Sequence, residues 1–344
     1  MNNPTDINQI LKKKNVSGKF LQNSHATSHD FDVNVASKAY FTNGWKVIPV
    51  TYQSKACHIK GWQNYVIKEN AIPVTFSDPS NIGVLLGESQ LTDIDVDSAL
   101  AFPFLHWLPP TGAKWGRKGN LNSHHLYKGI YNSKQFKTST GIIIEIRSQG
   151  CYAVMPPSIH PVGEPYKWES NGEPGLGDKL EHAVTKIAIA ATCLPFWKQG
   201  SRHSIALSLS SALIKAGWSV EEVLDIVLTI AKATGDNELS DRKKAVLDTA
   251  ENFKKGGTIA GINKLIEIIG VQDANAIFSW TNANNNEGIG NNIGEIASKA
   301  RSVKEKRTLA KKVRIDLTER GVFYRTTKSA DLLFFTSRNV NYMI

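Results

Sequence analysis

Cysteine is scarce: three occur in 344 residues, Cys57, Cys151 and Cys193, far apart and without a CxxC pair. That excludes a disulfide framework and a four-cysteine zinc site. Cys57 and His58 adjoin and could give two metal ligands, but without further partners they make a poor site, and reduced, partly buried cysteines are expected. No apolar run approaches the roughly 20 residues that span a bilayer. The start, Met1 to Lys14, is polar and rich in Asn, unlike a secretory signal. A cytoplasmic location without membrane contact is therefore expected. A phosphate loop of the GxxxxGK[ST] type is absent as well.

What is present is the composition of a globular protein, 41% hydrophobic and 21% charged, at a length that suits two domains. The net charge of +10 favours a polyanionic partner. Most of it lies near the end, where residues 301–344 carry 11 Lys or Arg against 4 Asp or Glu.

The hydrophobic period divides the chain. Residues 1–30 show none and are expected to be a flexible N-terminus. Val33 to Phe41 has helical spacing and stops at Gly44. Strand signals follow at Trp45 to Val50, Ile82 to Leu86, Leu91 to Val96, His124 to Tyr127, Ile142 to Ile146 and Tyr152 to Met155. Residues 31–176 are thus expected to form an α+β domain on a mixed sheet. Beyond it, Leu180 to Ala191, Ser204 to Ala216, Val220 to Thr234, Arg242 to Phe253 and Ile259 to Ile269 carry apolar residues at three-and-four spacing. They predict an all-α bundle of about five helices over 177–272, with a Ser219/Glu222 capping box and Gly217 ending the helix before it. An Asn-rich linker is expected over 273–300. A basic helix and a hairpin, with Arg314 to Leu317 and Val322 to Arg325 around Gly321, are expected over 301–344 as the start of a further domain.

The sharpest chemical feature is Asp93-Ile94-Asp95-Val96-Asp97. Alternate residues of a strand share a face, which lines up three carboxylates about 6–7 Å apart. Like charges at that spacing are costly unless cations neutralise them. Oxygen ligands of this kind suit Mg²⁺ or Mn²⁺. An isolated pair of such acids more often faces water at a strand end, but a second acid, Glu145, sits inside the apolar strand Ile142 to Ile146, where it needs a cation or a salt bridge to Arg147. Between the two lie Trp115-Gly116-Arg117-Lys118-Gly119, whose glycines let backbone and cations approach phosphates, and Ser123-His124-His125. Alternation puts the two histidines on opposite faces, so only one reaches the acids.

This order of motifs resembles the archaeo-eukaryotic primase superfamily, and more closely the bifunctional primase-polymerase domains of phages and plasmids. The resemblance is carried by Ala39 to Val50, Lys60-Gly61-Trp62-Gln63, Asn81 to Gly87, Gly116-Arg117-Lys118, Ser123 to Tyr127, Glu145-Ile146-Arg147 and Pro156 to Trp168, about 130 residues with their order kept. It implies template-directed nucleotidyl transfer, DNA priming or DNA polymerisation, on single-stranded DNA with nucleoside triphosphates and two divalent cations, in replication of a phage, plasmid or other mobile element. Asp95, Asp97 and Glu145 would hold the metals, with Asp93 an additional acid. The triphosphate-contacting histidine falls on His124 by one spacing and on His125 by another. Arg117, Lys118, Ser123, Arg147, Ser158 and His160 would lie at the nucleotide. The later helices resemble the bundle that follows such domains, which implies template and initiation contacts at Arg202 and Arg242. A helicase partner would be separate or lie in a continuation of the chain. Two rivals stand beside this reading: a metal-dependent nuclease, and a non-catalytic origin-binding module using the basic end.

Overall fold

The computed structural model describes residues 33–77, 79–257 and 262–281, together with three strands at 321–325, 332–336 and 341–343. Helix α1 (Val33–Thr42) ends at Gly44, whose φ of +83° is the left-handed stop that glycine supplies. Then come β1 (Lys46–Thr51), the helical turn α2 (Ile72–Thr75), β2 (Ser80–Leu85) and β3 (Leu91–Val96). They are followed by β4 (Ala113–Arg117), β5 (Asn120–Lys128), β6 (Lys134–Thr138), β7 (Gly141–Arg147), β8 (Tyr152–Met155), β9 (Lys167–Asn171) and β10 (Gly175–Leu176). β4, β6 and β9 were not expected from the sequence. β6 reads Lys-Gln-Phe-Lys-Thr, with Phe136 its one large apolar residue, and is a strand because β7 pairs with it rather than because of its own period.

Two sheets result. Strands β1-β2-β8 form an antiparallel trio, and β6-β7-β3-β5-β4-β9 form a larger sheet that β10 joins by pairing in parallel with β5. β3 is central to the large sheet, antiparallel to β5 on one side and β7 on the other. Its Ile94 and Val96 enter a core shared with Ile144 and Ile146 of β7 and with the helices, whereas Leu91 enters a second core with Leu126, Trp115 and the small sheet. Burying each such Ile or Leu contributes about 1.5–3 kcal/mol. The register is therefore strongly fixed: a slip by one residue would drive Asp93 and Asp95 into the helical core.

The helices are α3 (Leu180–Cys193), α4 (Arg202–Lys215), α5 (Val220–Ala233), α6 (Leu239–Lys254), α7 (Ile262–Ile269) and α8 (Val271–Thr281). The fold is thus α+β, a sheet-rich part followed by a helical one. The Ser219/Glu222 capping box forms, and Gly217 sits at φ +87° between α4 and α5. α8 extends the helical region into the stretch expected as linker. It packs Trp280 against Phe136, ring centres 5.4 Å apart, and its Asp273 accepts hydrogen bonds from the Ser139 amide (2.6 Å) and hydroxyl (3.0 Å). No helix among the described residues is long and apolar enough to cross a membrane.

Residues 282–344 form a separate compact unit. Within it β11 (Gly321–Arg325) pairs antiparallel with β12 (Leu332–Thr336), and β12 with β13 (Asn341–Met343). The strand expected over Val322–Arg325 is present within β11, and β12, whose sequence Leu-Leu-Phe-Phe-Thr is a strong strand former, pairs with it. Residues 1–30, the basic segment from 301 and residues 314–317 lie outside the described residues.

Candidate active site

Cross-strand register gathers the site. Asp95 of β3 stands opposite His124 of β5 and Glu145 of β7, and Asp93 stands opposite Arg147. These five side chains share one face, and Asp97 joins them just past the strand end, where its amide bonds to the Ile143 carbonyl. Of the acids Asp93 is wholly buried, Asp95 and Glu145 partly so, and Asp97 is open on one side.

The cations already present are engaged. His124 Nδ1 lies 3.0 Å from Asp93 Oδ2 and 3.6 Å from Asp95 Oδ1. Its ring is clamped between Trp115, stacked at 4.7 Å, and the edge of Tyr166 at 6.0 Å. Arg147 donates to Asp95 Oδ2 (3.1 Å) and to the Tyr152 carbonyl (2.7 Å), with Glu145 Oε2 at 3.9 Å. Burial opposes a charge on His124, but Asp95 and Asp93 outweigh it and raise its pKa. The Asp97 carboxyl is pushed up to about 6, first by partial burial and then by Asp95 and Glu145. Glu145 is raised by burial and by Asp95, against the pull of Arg147. The negative charge thus exceeds what the two cations offset, and Asp93 Oδ1 is buried without a hydrogen-bond partner.

Two groups of three bring ligand atoms within 4.8 Å of one another, Asp93–Asp95–His124 and Asp95–Asp97–Glu145, and each could hold a metal ion. The first is buried, and its imidazole nitrogen is already hydrogen-bonded. The second is all oxygen and partly solvent-facing, a donor set that suits a hard divalent cation. A cavity of about 250 Å³ opens beside the acids, with Lys55, Trp62, Arg147, Tyr152 and Tyr166 in its wall alongside His124.

Residues 37–183 match the family model described as bifunctional DNA primase/polymerase, N-terminal. This stretch is a Prim-Pol domain. No curated protein matches the chain. The Prim-Pol domain runs from within α1 into α3 and encloses the whole acid cluster and the cavity. A domain of this family supports nucleotidyl transfer of the DNA primase and polymerase kind in general, and implies DNA and nucleotides as substrates.

Not every residue expected at the site reaches it. Alternation along β5 turns Ser123 and His125 to the face opposite His124. Both are buried there, and burial followed by Lys114 and His124 holds the His125 pKa down at about 4. Ser158 is likewise spent on the backbone: its hydroxyl accepts from the Ile82 amide at 2.8 Å and ties the small sheet. Arg117 shares the face of His124 but is paired with Glu164 at 2.6 Å, whose carboxylate also accepts from the Gly119 amide at 3.1 Å. Lys118 is exposed at the tip of that hairpin. His160 stands edge-on to Tyr166 at 5.7 Å on the rim of the site. Within the helices, Arg242 is buried and donates to Asp236 Oδ2 at 2.9 Å, and Arg202 meets Asp236 Oδ1 at 3.3 Å. The guanidinium of Arg242 is thus engaged by Asp236 and by Glu238. Trp115, Tyr152 and Tyr166 were not anticipated. Trp115 was within reach, since folding β4 onto β5 about Gly119 sets it opposite His124. The two tyrosines arrive from distant strands and loops with no local signal.

Proposed function

We propose that the chain is a template-directed nucleotidyltransferase, a DNA primase or DNA polymerase serving replication of a phage, plasmid or other mobile element. In this reading Asp95, Asp97 and Glu145 hold two divalent cations, Mg²⁺ or Mn²⁺. The observation that carries it is the convergence of these three carboxylates inside a Prim-Pol domain, at a separation whose mutual repulsion calls for cations.

The 3′-hydroxyl of a primer, or of a first nucleotide, gives its proton to solvent, its oxygen forms a bond to the α-phosphorus of a nucleoside triphosphate, and the bond from that phosphorus to the bridging oxygen of pyrophosphate breaks. Bound divalent cations supply two things here, a lowered pKa for the attacking hydroxyl and neutralisation of the departing pyrophosphate. The protein's own part is alignment. Asp93 accepts from Nδ1–H of a protonated His124 and fixes the ring against Trp115, which leaves Nε2–H to donate to a phosphate oxygen from the cavity wall. Arg147 keeps Asp95 oriented and adds positive charge to the same wall.

The test incubates the purified protein with single-stranded DNA, labelled triphosphates and Mg²⁺ or Mn²⁺, with and without a primer. Labelled product that vanishes in Asp95→Ala and Asp97→Ala supports the reading, and product without a primer adds priming. Degradation of the strand in the absence of triphosphate, or DNA binding with no incorporation under either metal, overturns it.

A further inference from the structure

The cavity beside the acids contains three cationic groups, and two are committed. His124 is bound to Asp93, and Arg147 divides its donors between Asp95 and a backbone carbonyl. The third, Lys55, has no carboxylate within ion-pair distance among the described residues, although it lines the same cavity. The other cations of the rim are unsuited to replace it. Arg117 is held by Glu164, and His160 has its pKa lowered by burial, by Arg117 and by Lys55, so it stays neutral.

The mount of Lys55 is unusually firm for a surface turn. Its carbonyl accepts from the Tyr152 hydroxyl. The preceding Ser54 carbonyl accepts from Asn81 Nδ2 at 3.0 Å, and Asn81 is buried and braced on Ile159 at 2.8 Å. Thr51 and Ala56 close the turn with a 3.1 Å bond. Further along, Trp62 stands edge-on to Tyr152 at 4.8 Å. The backbone is thus fixed on both sides of an exposed ammonium that faces a cavity next to a carboxylate cluster.

We propose that Lys55 is a substrate-binding residue that holds the β,γ end of the nucleoside triphosphate, the part that leaves as pyrophosphate. This rests on the nucleotidyl-transfer reading above. A polyphosphate brings several negative charges to a cavity whose neighbouring acids outnumber the cations paired with them. An unpaired ammonium on a fixed base supplies charge without having to break an internal ion pair first.

The experiment compares binding of dATP and of dAMP to the full chain, measured calorimetrically with Ca²⁺ and no template, for wild type, Lys55→Ala and Lys55→Arg. Lys55→Ala should weaken dATP binding about ten-fold or more, the scale of one charge-assisted contact, and change dAMP binding less than about two-fold. Lys55→Arg should recover most of the loss, with melting temperatures unchanged throughout, since the side chain is exposed and the turn is held by its backbone. Equal losses for the two nucleotides, or none for dATP, overturn the proposal alone. Wild-type protein that binds dATP no better than dAMP overturns the nucleotidyl-transfer reading with it.

Discussion

Two charge clusters lie in the same compact unit, and they are built on opposite principles. In the helical part a single carboxylate, Asp236, is saturated. It accepts from Arg242 at 2.9 Å, Arg202 at 3.3 Å, Trp197 Nε1 at 3.0 Å and the Glu238 amide at 3.0 Å. Burial works against its charge, yet these donors win and hold its pKa at about 2. On the sheet four carboxylates share two cations, one oxygen has no partner, and Asp97 and Glu145 are pushed up rather than down. A saturated buried charge is a fastening. An unsaturated cluster is held in place by the fold around it and is relieved only by what binds.

That contrast is open to direct attack. The largest expected effect is catalytic: Asp95→Asn should lower nucleotide incorporation by about 10³-fold or more, the scale of losing a transition-state charge stabiliser, while chemical denaturation shows stability unchanged or improved. Destabilisation by this variant would erase the distinction. Asp236→Ala should do the reverse, costing about 3–5 kcal/mol in urea unfolding by leaving the buried Arg242 with only the more exposed Glu238 as partner. Because the folded Asp236 pKa lies below its ordinary 3.8, its contribution is present above that pH and is lost as pH falls towards about 2.

A smaller effect concerns the cations themselves. Mn²⁺ should raise the melting temperature of wild type by a few degrees at pH 8, and the shift should fade as pH falls through about 6 and Asp97 takes up a proton. The sign follows from the raised pKa: without metal, ionising Asp97 costs folded stability as pH rises from 3.8 through about 6, and a cation removes that cost. Glu145→Gln should lose the shift. A shift that persists at pH 5 would place the metal elsewhere. The smallest effect separates the two histidines. His125 is neutral when folded down to about pH 4, whereas the unfolded chain protonates near 6.5, so stability is lost as pH falls between these values. His125→Leu should flatten that limb by about 1–3 kcal/mol in urea midpoints and leave incorporation intact.

Strands with their own period were legible in the sequence: β3 and β8 fall where alternation puts them, and the acids of β3 and β7 meet because those strands pair. The choice between His124 and His125 was not legible, because alternation says only that they diverge; pairing with Asp95 decides it. β4, β6 and β9 are strands by virtue of their neighbours. α8 was hidden because Asp273, a polar residue in a polar stretch, is buried to cap Ser139 in a turn of the sheet, a contact that no local pattern records. Arg202 and Arg242 were expected at nucleic acid only through the resemblance of the helices to the bundle that follows such domains. That Asp236 accepts from both, along with Trp197, depends on packing that brings Arg202 and Trp197 to it from 34 and 39 residues away.

The strands that carry the acids on one face supply the helical core with Ile94, Val96, Ile144 and Ile146 on the other. Synthesis delivers those two halves at different times. Between Ser139 and its cap Asp273 lie 134 positions, which take roughly 7–27 s to translate at about 5–20 residues per second. For that interval the β6 edge of the nascent sheet lacks the helix that packs on it. The matched segment, which ends inside α3, therefore does not contain every helix that packs on its sheet. Grafting it alone onto another protein would carry the acid-bearing face without the later helices that cover part of its reverse.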